Sequence, residues 1–301
     1  MYNGFVVKIS NIRRNRGIMK KTLLFADSTC DLSEELIKKY GVNIVPLCIV
    51  LDDKSYYDMS EITPDEIYEW ADKNKKTPKT AAATFEYLQD KVVPYLEEGN
   101  DIIFFGISEE MSTTCNVLRM VSEESQNGKM YVINSANLST GIGLQVIKAA
   151  EMINKGIDAE NIVAEIEILK PKVRSSFLVD TLTYLARGGR CSGATALLAN
   201  TLKLHPCIEV IDGKMDVGKK YRGSISKALK HYVEDLKEDL LNADSSRVFI
   251  THSGIDEEII ENVKEQLVAL DYFEEILITR AGGVISSHCG PGTLGVLFIS
   301  K

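Results

Sequence analysis

Three hydroxyls and an imidazole crowd the stretch Ser286-Ser287-His288-Cys289-Gly290-Pro291-Gly292-Thr293-Leu294-Gly295. Such groups can grip an anion or pass a proton. His288 is the only side chain in the run that titrates near neutral pH, and either ring nitrogen can donate. Gly290-Pro291-Gly292 forbids a helix there and lets backbone amides approach a ligand closely. A Gly-Pro turn carrying a structural histidine would look the same, so this stretch alone does not decide between site and turn.

Other hydroxyl groups stand at the ends of apolar runs. Asp27 and Ser28 follow the run 22–26; after a strand of an α/β sheet, such a loop lines the ligand crevice, although capping the loop is the plainer role. Thr80 lies one turn before Thr84, which caps a helix whose first amides favour an anion; it is equally a turn residue. Ser112-Thr113-Thr114 occupies a second strand-to-helix junction, and Ser139-Thr140 follows the run 130–134. Asp27, Ser28 and His288 have the residue types of a hydrolytic triad, with Ser112 as the other available nucleophile. No G-x-S-x-G elbow accompanies them, nor any G-x-G-x-x-G or G-x-x-x-x-G-K-[ST] phosphate loop. The two arginines of Arg187-Gly188-Gly189-Arg190 could meet a phosphate or a partner's acidic face, or be solvated loop charges.

The elements that must position these groups alternate between strand and helix, which is the pattern of an α/β fold. Ser33 caps a helix that stops at Gly41, and residues 42–51 read as one strand with Pro46 at an edge or bulge. Thr63-Pro64-Asp65-Glu66 is a capping box opening a helix to about residue 73. Strands follow at 101–107 and 130–134, and an amphipathic helix at 159–169. The strand at 173–179 marks the junction between an N-terminal domain, residues 19–172, and a C-terminal domain, residues 173–301. Asp212-Gly213 is a two-residue hairpin turn. Helices over 224–241 and 256–270 and strands at 247–251, 276–279 and 294–299 complete the second half. His252, just after a strand, reads as a loop histidine with an outside chance of reaching the crevice. Residues 1–18 form a disordered extension before a second methionine, Met19, and are assigned no function.

Composition narrows the function classes. With a net charge of -8 and no concentrated basic segment, the chain lacks the phosphate footprint of a nucleic-acid binder. Six scattered cysteines without a C-x-x-C pair, and four dispersed histidines, signal neither a metal site nor a disulfide framework. Free thiols in a reducing cytosol fit that usage. No apolar run approaches the roughly 20 residues of a membrane span.

Taken in order, Asp27-Ser28-Thr29-Cys30-Asp31-Leu32, Thr77-Pro78-Lys79-Thr80, Met111-Ser112-Thr113-Thr114, Asn134-Ser135 with Ser139-Thr140-Gly141, Asp180-Thr181-Leu182 with Arg187-Gly188-Gly189-Arg190, and His288-Cys289-Gly290-Pro291-Gly292 resemble the DegV family, from about Met19 to Lys301. The resemblance implies two α/β domains with a ligand tunnel between them, holding a long-chain fatty acid. It implies a cytoplasmic acyl carrier with no cofactor, metal or catalysis of its own. A separate ATP-dependent fatty-acid kinase would make acyl phosphate for phospholipid synthesis, with at most transient membrane contact. It places the carboxylate on Thr80, Ser112 and His288, with Asp27, Ser28, Thr113 and Ser139 behind them and Arg187 and Arg190 facing the kinase. The competing reading is a small-acid or ester hydrolase using Ser28 or Ser112 with His288. Two departures bear on the ligand: Ala81, Ala82, Ala83 and Thr84 stand where the family has serine, glutamine, proline and serine, and Glu109-Glu110 replace small residues before Met111.

Overall fold

Leu24, Phe25 and Ala26 are buried in the first strand of a computed structural model that describes residues 20–123, 127–197 and 204–301. The extension 1–18 lies outside the described residues. The first half runs β1 (Thr22–Asp27), α1 (Glu34–Tyr40), β2 (Val42–Val45), β3 (Cys48–Leu51), β4 (Lys54–Tyr57), α2 (Pro64–Asn74), β5 (Lys79–Ala81), α3 (Phe85–Glu97), β6 (Asp101–Gly106), α4 (Thr114–Ser122), β7 (Met130–Asn134), α5 (Thr140–Asn154) and α6 (Ala159–Leu169). The second half runs β8 (Val173–Leu178), α7 (Thr183–Gly188), α8 (Ser192–Leu197), β9 (Leu204–Ile211), β10 (Lys214–Arg222), α9 (Ile225–Leu241), β11 (Arg247–His252), α10 (Glu257–Val268), β12 (Glu275–Arg280), α11 (Gly283–Cys289) and β13 (Leu294–Ile299).

Three sheets result. Strands β2-β1-β6-β7 form an all-parallel sheet, the arrangement that α crossovers produce. Strands β10-β9-β8-β13-β11-β12 form a mixed sheet whose only parallel pair is β11 with β12. Strands β4-β3-β5 form a small antiparallel sheet that pairs Ile49 with Thr80. Local signals act as expected at several ends. Ser33 and Thr63 accept from their own helices, Glu66 completes the capping box, and Asp212 and Gly213 make the β9–β10 turn at φ 49° and 80°.

Helix α5 joins the halves. It packs against β1 and β6 on one side and β8 and β13 on the other. Its residues Thr140 to Ile147 are therefore buried on every face, as a helix between two sheets must be. The largest apolar cluster correspondingly runs from Leu24 and Ile103 through α5 to Phe177, Phe249 and Leu297. All six cysteines are buried and unpaired.

Two sequence expectations are corrected. Residues 42–51 are two strands in two different sheets, because Pro46 lacks the N–H that a continuous ladder needs. Ser286, Ser287, His288 and Cys289 lie in helix α11 rather than in a loop. The glycine-proline run begins after Cys289 and ends the helix, with Gly290 at φ 74° donating back to Ser286 O.

Candidate functional site

Helix α11 brings His288 to strand β5. Thr80 Oγ1 and His288 Nε2 are 2.8 Å apart, joining residues 208 positions apart in the chain. Thr80 is therefore set by strand pairing with Ile49, not by a helix N-terminus as its sequence position suggested. Among the described residues His288 Nδ1 is buried with no partner. It faces Gly188, where a Cβ would stand 2.4 Å away, so α7 must come within touching distance of the ring and only glycine permits it.

These contacts assign the tautomer. A buried N–H without an acceptor costs more than a buried lone pair, so the proton belongs on Nε2. Nε2–H then donates to Thr80 Oγ1, which leaves the Thr80 hydroxyl proton free for a ligand. Burial, and secondarily the Arg190 guanidinium, pushes the His288 imidazole down to about 4. The ring is neutral at pH 7.

Thr80, His288, Ser112 and Thr113 share one cavity of about 480 Å³ between the halves. Its apolar wall comes from Leu47, Ile107 and Leu138 on one side and Met215, Val284 and Ile285 on the other. Leu138, Ile285 and Cys289 also bound a deeper apolar void of about 20 Å³ against Phe177 and Leu297. A larger cavity of about 750 Å³ lies between α9 and strands β8 to β10, and none of the candidate ligand-binding residues named from the sequence lines it.

Ser112 Oγ is 2.9 Å from Thr114 Oγ1 and accepts from Thr114 N–H, placing it at the start of α4. Thr113 is exposed and makes no side-chain cap. Glu109 and Glu110 also line the cavity, yet each carboxylate has a cation from outside: Glu109 pairs with Arg119, and Glu110 lies 3.4 Å from Lys214. Among the described residues Arg190 makes no ion pair, and it is exposed to solvent. Its Nη1 donates to Gly188 O and its Nε to Met111 O, so it ties α7 to the loop bearing Ser112. Arg187 is exposed and donates to Thr77 Oγ1.

Asp27 and Ser28 are fully buried behind the cavity wall. Ser28 Oγ accepts from Leu47 N–H at 3.2 Å, and Asp27 Oδ2 accepts from Ile107 N–H at 2.8 Å, so each holds the backbone of a lining residue. Burial raises the Asp27 carboxyl to about 6. The triad types are thus not assembled as a triad: among the described residues neither Ser28 nor Ser112 hydrogen-bonds His288, whose partner is Thr80. The hydrolase reading loses its base–nucleophile contact. Ser139 donates to Asp31 Oδ2 at 2.5 Å, and His252 Nδ1 accepts from Gly254 N–H beside the small void.

Two residues that sequence reasoning passed over are Asp31 and Asp58, whose carboxylates accept the first amides of α11. Asp31 stood within a quoted motif without a role of its own. Asp58 follows two tyrosines and gave no signal.

Comparison with known proteins identifies the family. The family model described as "Uncharacterised protein, DegV family" matches residues 21–301. A DegV domain-containing protein of Clostridium perfringens is 31% identical over 283 residues, covering 94% of this chain and all of that one. Among solved structures, a DegV family protein of Thermus thermophilus described for its fatty acid binding superposes with a TM-score of 0.86 at 31% identity, over 93% of this chain and 100% of that one. DegV of Bacillus subtilis, described as a fatty acid binding protein, gives 0.83 at 26% identity, over 94% and 100%. The match over nearly the whole chain leads to one conclusion: the chain belongs to the DegV family.

Proposed function

We propose that this chain binds a long-chain fatty acid between two domains, residues 19–172 and 173–301, with the carboxylate at Thr80, Ser112 and His288, the last acting through the Thr80 hydroxyl that its Nε2–H orients. The observation that carries the reading is the Thr80–His288 hydrogen bond at the wall of an interhalf cavity. At about 480 Å³ the cavity falls within the ~300–1,000 Å³ of ligand-sized sites. The void beyond Leu138 and Ile285 gives an acyl tail an apolar direction to follow. A tail of about 16 carbons, at ~0.8 kcal/mol per buried methylene, contributes on the order of 12 kcal/mol before entropic costs. The head group then fixes register, each hydrogen bond to the carboxylate adding roughly 1.5–3 kcal/mol. The Ala81 substitution removes one hydroxyl from the neighbourhood and so weakens the grip without abolishing it.

Uncharged donors leave the carboxylate nucleophilic, whereas a bidentate arginine would sequester it. This supports a carrier that presents its acid to a separate ATP-dependent kinase for acyl-phosphate formation, with Arg187 and Arg190 toward that partner. Denaturing mass spectrometry of the purified protein is expected to release a long-chain fatty acid. An empty protein that also refuses added palmitate and oleate contradicts the reading. Arg187→Glu, at the arginine that does not line the cavity, is expected to abolish kinase-dependent acyl-phosphate formation while leaving bound lipid unchanged, and unchanged turnover rejects the partner role.

A further inference from the structure

Helix α11 enters from the second half, but its opening amides are held by acids of the first. Asp31 Oδ1 accepts from Gly282 N–H at 2.8 Å, and Asp58 accepts from Gly283 N–H at 2.7 Å and Val284 N–H at 3.3 Å. These are groups that a helix leaves without internal partners. Both carboxylates are buried, at 3% and 1% exposure, and neither borders the ligand cavity. The approach is close: a Cβ on Gly283 would lie 2.8 Å from Ile49 and Ile67 and 2.9 Å from Asp58 Oδ1.

Backbone strain gathers at the same place. Asp31 (φ 51°), Met59 (φ 63°) and Ser139 (φ 52°, ψ -145°) are non-glycine residues in left-handed conformations. Ser139 donates to Asp31 Oδ2, and Met59 N–H donates to Asp58 Oδ1. The Ser139 conformation is nearly reserved to glycine and persists only where the surroundings over-determine it.

His288 lies five residues beyond Gly283, about 7.5 Å along the helix axis. Ile49, on which Gly283 rests, is the registered partner of Thr80. Both ends of the Thr80–His288 hydrogen bond are therefore referenced to the same small sheet.

We propose that Asp31 and Asp58 are positioning residues of the head-group site: they clamp the start of α11 to the first half and so set His288 against Thr80. The ligand readout rests on the fatty-acid reading above, while the geometry stands without it. The test uses the full chain stripped of lipid, with oleic acid and oleyl alcohol as probes and the His288 ring nitrogens followed by NMR. Asp31→Ala and Asp58→Ala are expected to weaken oleic acid at least about tenfold, the effect of one lost hydrogen bond to a charged group, and oleyl alcohol by no more than about twofold. The His288 Nε2 resonance of the ligand-free protein shifts in both. Asp31→Asn keeps an oxygen for Gly282 and turns its amide to Ser139, so it restores the acid-over-alcohol ratio and the resonance. If the alanine variants do not fold, Ser139→Ala loosens Asp31 while leaving its carboxyl group in place and shifts the resonance in the same direction by less. Folded variants with unchanged resonance and unchanged ratio overturn the proposal. A wild-type chain that binds neither probe overturns the fatty-acid reading instead, and the ring resonance then decides the clamp.

Discussion

Held near 4, the His288 imidazole carries no charge at pH 7, so it orients the Thr80 hydroxyl rather than pairing with an anion. The free-protein titration of His288, followed by NMR, is expected to have its midpoint near 4. Bound oleate raises that midpoint, because a neighbouring carboxylate favours the imidazolium. A midpoint at the ordinary value of 6.5 that ligand does not move contradicts the assignment. Asp27 titrates in the opposite sense. Its folded value, about 6, lies above the ordinary 3.8, so the stability it contributes is present below about pH 4 and lost as pH rises through 6. That difference corresponds to about 3 kcal/mol. Asp27→Asn has no such dependence, and the stability of the variant minus wild type is expected to rise by about that amount from pH 4 to 7 in urea titrations. An equal difference at both pH values rejects it.

Legibility from sequence divides at the level of elements. Three of the four parallel strands were readable because each is a largely apolar run that ends at polar or glycine residues, as at residues 22–26, 101–106 and 130–134. Strands β4 and β5 were not, being four and three residues long and partly exposed, with no alternation to detect. Helix α11 was hidden by the Gly290-Pro291-Gly292 run that ends it, and its two serines are absorbed internally: Ser287 Oγ donates to Gly283 O and Ser286 Oγ to Ala281 O. Thr80, Ser112 and His288 could be named from their motif, but that the first and last touch depends on tertiary packing of α11 on β3 and β5. Helix α7 supplies the clearest test at this scale. Gly188→Ala places a methyl group where it meets His288 Nδ1, on a backbone with no left-handed torsion to oppose alanine. Oleate affinity is expected to fall about tenfold by calorimetry, one head-group hydrogen bond, while the melting temperature stays within a few degrees. Unchanged affinity would show that the ring has room to spare.

Across the molecule, the largest apolar cluster does not respect the midpoint of the chain, since α5 is buried against both sheets. One cooperative unfolding transition is therefore expected in calorimetry, its midpoint rising with added fatty acid as binding to the native state requires. Two separable transitions would show that the halves keep independent cores. In the proposed reading the cavity between the halves holds the acid at Thr80 and His288 and runs the tail along Leu138 and Ile285. Among the described residues no helix is long and apolar enough to cross a membrane. The most direct test of that orientation is NMR of oleate labelled with ¹³C at the carboxyl carbon. The account predicts one bound resonance with cross-peaks to the Thr80 methyl and the His288 ring. A carboxyl carbon that titrates as in bulk water and shows no contact with either residue would contradict it.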